Sequence, residues 1–254
     1  MHLTTTILGE IEIYCVNPEE AAIVYNQVQQ YFKYNIRLEK GSIVFDVGAN
    51  IGLFSLWLHQ HYSDLQVYAF EPIPILFEAL EKNLQQFNPD HFKAFPFGLG
   101  HENATVTFAY HPYATAMSTG YPYTPEEQTE LQAAILKNLP EEAQAQFQPM
   151  LNAFFVNEPV ECQLRTASDV IREQNIARID LLKIDVEKAE LDVLQGFAPE
   201  DWAKVQQVVI EIHDVENRVN IVRSLLSQVG FQTIEIEQEE GMKGSNIYNL
   251  YASR

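Results

Sequence analysis

The chain has 254 residues, enough for one large domain with an appended element, and its 46% hydrophobic and 20% charged residues are an ordinary globular balance. A net charge of −19, from 35 acidic and 16 basic residues, repels phosphate backbones and anionic lipid heads, which excludes a general nucleic-acid or membrane-surface binder. No apolar run approaches the ~20 residues of a membrane span and no basic region precedes an apolar stretch at the N-terminus, so a cytoplasmic protein is expected.

Residues 1–40 read as an N-terminal extension. Gly9 to Val16 alternates like a strand, and Asn17-Pro18-Glu19-Glu20 is a helix start, with an Asn cap, a first-turn Pro and acids favoured by the dipole. That helix is predicted to reach about Tyr31. Cys15 and Cys162 sit in no CxxC pair and no His/Cys cluster, and read as two buried reduced thiols.

An α/β rhythm follows. Ile43 to Val47 is a short β-branched apolar run, as expected of a parallel strand buried on both faces. Leu53 to His61 reads as a helix, Gln66 to Phe70 as a strand, Ile75 to Phe87 as a helix and Phe92 to Phe97 as a third strand. Later, Ile179 to Ile184 and Val205 to Ile212 repeat the buried-strand pattern, with a helix at Leu191 to Gly196 between them. Arg218 to Gly230 is helical, and Phe231 to Glu237 and Ile247 to Ala252 are predicted closing strands. Strands alternating with helices imply a doubly wound α/β core, here over 41–99 and 158–254, with a parallel sheet and right-handed crossovers.

The rhythm breaks over 100–157. Thr105 to Tyr110 alternates like a hairpin strand, Pro112 to Pro125 is aromatic with small residues and prolines, and Pro125 to Gln148 is acidic and helical with Pro140 dividing it. An insertion of this size reads as a helical lid or substrate element, against the alternative of passive decoration. As a lid, Tyr110, Met117, Ser118, Tyr121 and Tyr123 would make an apolar pocket rimmed with hydroxyls; the alternative is a local mini-core. His59, His61 and His91 read as surface groups.

Val44-Phe45-Asp46-Val47-Gly48-Ala49-Asn50-Ile51-Gly52 places a glycine turn between a strand and a helix. Gly48 permits the turn, Gly52 lets the helix pack closely, and the loop amides at Ala49 and Asn50 face a ligand at the strand's carboxyl end. Asp46 is placed to order a ligand amine. Glu71, about 20 residues after Gly52 and ending the next strand before Pro72, is placed to accept both hydroxyls of a ribose. Asn50 stands where the phosphate-binding GxGxxG pattern has its middle glycine. A ribose-bearing ligand without pyrophosphate fits better, which favours S-adenosyl-L-methionine over a nicotinamide dinucleotide. Gly98, after the third strand, joins the expected cofactor set.

The segments FDVGANIG, AFEP, LLKIDVEKAELDVLQGF and VVIEIH, in order over roughly 40–235, resemble the FkbM-type family of S-adenosylmethionine-dependent methyltransferases. FEPIP, the TFAYHP…AMS stretch and IDVEKAE resemble the O-methyltransferases of polyketide synthase and non-ribosomal peptide synthetase pathways. Lys188 stands where many family members have Gly. The resemblance implies a Rossmann-like methyltransferase sheet. It also implies O-methylation of a secondary-metabolite hydroxyl, on a small-molecule or carrier-protein-tethered acyl or peptidyl substrate.

O-methyl transfer needs the acceptor oxygen aligned and its proton removed. His213 ends an apolar strand on the ligand edge, and an ordinary pKa of about 6.5 suits it as the general base; the alternative is a packing histidine. Asp185 and Glu187 leave the neighbouring strand, where residues two apart point the same way. One is expected to orient His213 and the other to contact cofactor or substrate, against the alternative of helix capping. Asp185, Glu187, Glu211, His213 and Asp214 also have the composition of a Mg²⁺ or Mn²⁺ site. No metal is expected, because the resemblance points to aliphatic hydroxyls rather than catechols. The competing function class is a non-catalytic binding module on the same fold, for a partner enzyme or a carrier protein, in which the glycine turn and Glu71 would serve no purpose.

Overall fold

The computed structural model of the chain describes residues 2–86 and 91–254; Phe87, the predicted end of one helix, lies outside the described residues. The N-terminal extension folds as a hairpin, β1 (Thr4–Leu8) and β2 (Ile11–Cys15), then α1 (Pro18–Gln27) and a 3₁₀ turn over Val28–Tyr31. Asn17 caps α1 by accepting from the amides of Glu19 and Glu20. The strand at Thr4–Leu8 was not predicted; its run of threonines carries no alternation of polarity.

The core is a seven-stranded sheet. Its strands are β3 (Ile43–Val47), β4 (Gln66–Phe70), β5 (Phe92–Phe95), β9 (Leu181–Ile184), β10 (Gln207–His213), β11 (Thr233–Glu237) and β12 (Ile247–Ser253). Between β5 and β9 the chain adds β6 (Gly98–Leu99), β7 (Ala104–Tyr110) and β8 (Glu158–Arg165). The core order is β11-β12-β10-β9-β3-β4-β5, with β12 antiparallel to both its neighbours and β10, β9, β3, β4 and β5 mutually parallel. The chain winds outward from β3 through β4 and β5, then returns to place β9 on the other side of β3. The carboxyl ends of β3 and β9 are therefore the switch point where such sheets open a cleft.

Helices cover both faces. On one lie α1, α2 (Leu53–His61) and α3 (Pro74–Leu84), whose Leu56, Leu58, Leu76 and Leu80 pack on Val44, Val67 and Ala69. On the other lie α6 (Ala167–Glu173), α7 (Glu190–Gln195) and α8 (Arg218–Gln228), whose Val170, Val193, Leu194 and Leu226 pack on Phe45, Val47, Phe70 and Ile210. Each fully buried Val or Leu contributes about 1.5–3 kcal/mol, which is why β3 and β9 read as apolar runs broken only by Asp46 and Lys183, which pair with each other. Cys15 and Cys162 are free and buried.

Residues 158–165 do not join the core sheet as expected. They form β8 of a separate three-stranded sheet, parallel to β6 and antiparallel to β7. The insertion continues with α4 (Pro125–Lys137), begun by a Thr124–Glu127 capping box, and α5 (Glu141–Phe154), with Pro140 between them.

Candidate active site at the switch point

After β3 the chain turns through Gly48 at φ +75, and the amides of Gly48 and Ala49 both donate to the carbonyl of Phe70. A Cβ on Gly48 would lie 1.9 Å from the carbonyl oxygen of Asp185, so no other residue fits between β3 and β9. Asn50 holds a left-handed φ of +51 and donates its amide to Oε2 of Glu71 at 2.9 Å. Oε1 of Glu71 accepts from Ile73 at 2.9 Å. Burial pushes the Glu71 carboxyl up to about 7, opposed by these two amides and by Lys183.

Lys183 was not singled out in the sequence, yet it organises the base of the cleft. It lies within β9 and is buried; its Nζ donates to the Gly48 carbonyl at 2.9 Å and pairs with Asp46 at 3.1 Å and Asp185 at 3.6 Å. Burial alone would lower its pKa, but Asp46 and Asp185 raise it above the usual value. The signal was legible: a lysine inside the apolar run Leu181-Leu182-Lys183-Ile184 needs a buried counter-charge. The hydroxyl of Tyr31, from the N-terminal extension, donates to Asp185 at 2.8 Å.

The other acidic group centres on His213. Its Nδ1 lies 2.8 Å from Glu190 Oε1, and its Nε2 lies 2.9 Å from Glu187 Oε2 as an ion pair. Glu190 is fully buried and is also held by the Lys188 amide and by Arg218 at 2.8 Å. Burial works against the imidazolium, yet Glu187 and Glu190 raise His213 well above its ordinary pKa. Burial would likewise raise Glu187, but His213, Tyr123 and Lys188 hold it below the usual carboxylate range. Glu211 is the reverse: burial and the charges of Asp185 and Glu187 push it well up.

These groups border a cavity of about 630 Å³. Of the residues expected there, Gly48, Ala49, Asn50, Glu71, Pro72, Gly98, Asp185, Glu187, Met117 and Ser118 line it. Four do not. Asp46 is wholly buried and bonded to Ser55 at 2.9 Å, so it anchors Lys183 rather than a ligand. Gly52 packs α2 on α3, where a Cβ would meet Leu80 at 2.8 Å. Tyr110 is buried in the core cluster with its hydroxyl unbonded. His213 is 2% exposed with both ring nitrogens against carboxylates, which does not suit it as a general base. Asp214 accepts from Val219 at 3.0 Å as a helix cap.

A methyltransferase FkbM domain matches residues 46–233. The chain is 35% identical over 94% of its length to the 31-O-demethyl-FK506 methyltransferase FkbM of Streptomyces tacrolimicus, covering 92% of that protein. It is 34% identical to the AMB antimetabolite synthetase AmbE of Pseudomonas aeruginosa over 94% of this chain, which spans only 12% of AmbE.

The chain belongs to the FkbM methyltransferase family.

The crystal structure of the FkbM methyltransferase of Methylobacillus flagellatus shares its fold, with a TM-score of 0.51 at 14% identity over 88% of this chain and 47% of the other.

Within this FkbM-type chain, Lys188 explains itself. Its φ is +67, the left-handed region that favours glycine. The buried side chain instead reaches the insertion: Nζ pairs with Glu127 of α4 at 2.9 Å and sits 3.8 Å from the centre of the Tyr123 ring. Tyr123 donates to Glu187 at 2.6 Å, Thr119 donates to the Glu187 carbonyl at 2.5 Å, and Tyr121 bonds Asp192. The insertion is thus fastened to the loop after β9. On the far side of the cavity, Ala116 donates to Glu20 of α1 at 3.0 Å and Asn50 donates to Thr115 at 3.2 Å. Insertion and N-terminal extension form one roof over the cleft, and sequence patterning gave no sign that α1 shares the cavity wall.

Proposed function

We propose that this chain is an S-adenosylmethionine-dependent O-methyltransferase acting on a hydroxyl of a polyketide- or peptide-type secondary-metabolite intermediate, small-molecule or carrier-tethered. The observation that carries the reading is that one cavity is lined by two chemically different sets of residues: Gly48–Asn50, Glu71 and Gly98 from the sheet edge, and Met117, Tyr123, Leu131, Ile135, Phe154 and Met242 of the roof and its surroundings. Asp185, Glu187 and Glu211 line the same space.

The residues present fit the cofactor. Glu71 keeps a further lone pair on each oxygen for two ribose hydroxyls after accepting from Asn50 and Ile73. Among the described residues that line the cavity, Lys183 is the one lysine or arginine, and it is already paired, so a pyrophosphate finds no free cation. The acidic lining instead suits a ligand with a sulfonium and an ammonium. Bound there, the cofactor supplies an electrophilic methyl group.

The chain's own groups orient the acceptor and take its proton. Asp185 is the carboxylate we assign as proton acceptor: it lines the cavity with its side chain 31% exposed, oriented by Tyr31 and Lys183. His213 acts behind the wall, holding Glu187 in its charged form. The roof excludes water and provides an apolar chamber for an acyl chain. The name of the relative from Streptomyces tacrolimicus supports oxygen as the methylated atom. Mass spectrometry of carrier-bound and free hydroxyacyl substrates, with and without the cofactor, tests this. A methyl increment on oxygen is the expected product, and methylation only of nitrogen or carbon would overturn the assignment.

A further inference from the structure

We propose that Glu187, Glu211 and His213 form a site for one divalent cation of the Mn²⁺/Mg²⁺ class at the wall of the cavity. A carboxylate oxygen from each glutamate and one His213 ring nitrogen all lie within 4.8 Å of one another. Nε2 of His213 stands 2.9 Å from Glu187 Oε2. Ligands on adjacent vertices around an ion at about 2.1 Å lie about 3 Å apart, so the pair already has the spacing of neighbouring donors.

The surroundings are those of a metal-binding histidine. Nδ1 is engaged by Glu190, itself fixed by Arg218 and by the Lys188 and His213 amides, so the ring is held with Nε2 toward Glu187 and Glu211. Nε2 is buried, and its one close polar neighbour is the Glu187 carboxylate at 2.9 Å, so a cation bound between them would displace the proton that this ion pair holds. The Glu211 carboxylate makes no hydrogen bond among the described residues, although it borders the cavity. Tyr123 orients Glu187 from the roof at 2.6 Å, as a supporting group does for a ligating carboxylate.

Charge asks for a cation as well. Asp185, Glu187, Glu211 and Glu239 all line the cavity, and the charges of the other three bear on Glu211. Lys183 is taken up by Asp46 and the Gly48 carbonyl, Lys188 by Glu127, and Arg218 by Glu190. The aliphatic-hydroxyl resemblance favours a metal-free route; the geometry points the other way. Two carboxylates and one imidazole suit Mn²⁺ or Mg²⁺, with the cavity side open for an acceptor oxygen. The ion's role rests on the methyl-transfer reading: an acceptor hydroxyl held at it becomes a stronger acid and gives its proton to Asp185. The new carbon–oxygen bond then forms as the carbon–sulfur bond breaks and its electron pair returns to sulfur.

The test uses Mn²⁺ alone as probe, with the chelator-treated full chain, followed by loss of the free-ion paramagnetic resonance signal. S-adenosylhomocysteine binding is measured on the same samples. One Mn²⁺ per chain, weakened at least 10-fold in Glu211→Gln and in His213→Ala but retained in Glu71→Gln, is the expected result. Glu211→Gln is nearly isosteric and guards against misfolding of the histidine variant. No Mn²⁺ binding by a chain that binds S-adenosylhomocysteine would overturn the site and leave the methyltransferase reading standing. Mn²⁺ binding unchanged in Glu211→Gln would place the ion elsewhere and overturn it too. Mn²⁺ bound as expected without S-adenosylhomocysteine binding would support the site and overturn the proposed function.

Discussion

Lys188 Nζ lies 2.9 Å from Glu127 Oε2, an ion pair that joins the loop after β9 to the first helix of the insertion. Because Lys188 holds φ +67, the contact is made at a backbone conformation that glycine would adopt more easily. Lys188→Gly is therefore expected to relieve the backbone and release the roof. S-adenosylhomocysteine affinity should change little, the acceptor KM should rise several-fold, and protease cleavage within 125–154 should accelerate. Unchanged KM and unchanged cleavage would show that the pair does not hold the roof.

Glu71 gives a pH dependence with a definite sign. Its carboxyl is raised from an ordinary 4.5 to about 7, so the stability it contributes is full below 4.5 and is lost as pH rises from there through about 7. A shift of that size corresponds to about 3 kcal/mol, set against the charged form in the empty site. Ribose hydroxyls donate to the carboxylate and offset that cost. S-adenosylhomocysteine should therefore bind more tightly at pH 8 than at pH 6, with proton release at the lower pH. Calorimetry in buffers of different ionisation enthalpy measures both. Affinity independent of pH would mean that the cofactor does not engage a titrating Glu71.

His213 makes a stability prediction. His213→Ala leaves Glu187 and Glu190 buried without the imidazolium between them, and breaking a buried pair in this way costs about 3–5 kcal/mol. For a domain of this size 1 kcal/mol moves Tm by roughly 2–4 °C, so a fall on the order of 10 °C is expected in chelator-treated protein. Wild-type stability together with a large loss of turnover would instead return His213 to the role of a proton acceptor.

Most of the core was legible because its signals are local. The run Val44–Val47, the Gly48 turn and Glu71 lie within one β–α–β unit, and the structure brings Gly48, Asn50 and Glu71 to one cavity wall. What was not legible depends on which elements meet. His213 was correctly placed at the end of its strand, but the sequence does not show that Glu187 and Glu190 close on it from both sides. Tyr110 reads like Tyr123 by composition, yet the pairing of β7 with β8 turns it into the core. Tyr31 meets Asp185 across 154 residues and Glu20 meets Ala116 across 96, contacts that no periodicity encodes.

Asp185 separates chemistry from binding. Asp185→Asn keeps the hydroxyl of Tyr31 within reach but removes the proton acceptor, so turnover should fall by ~10²–10⁴ with S-adenosylhomocysteine affinity within a few-fold of wild type. Single-turnover rates with saturating cofactor measure it. A near-wild-type rate would leave orientation alone as the source of acceleration.

The most direct measurement is a calorimetric titration of the folded chain with S-adenosylhomocysteine, repeated on Glu71→Ala. One equivalent bound by the wild type, weakened ~10-fold or more in the variant by loss of charged hydrogen bonds worth roughly 1.5–3 kcal/mol each, is the result expected. No binding by the folded wild-type chain, or equal affinity in the variant, would contradict the assignment of this cavity to S-adenosylmethionine.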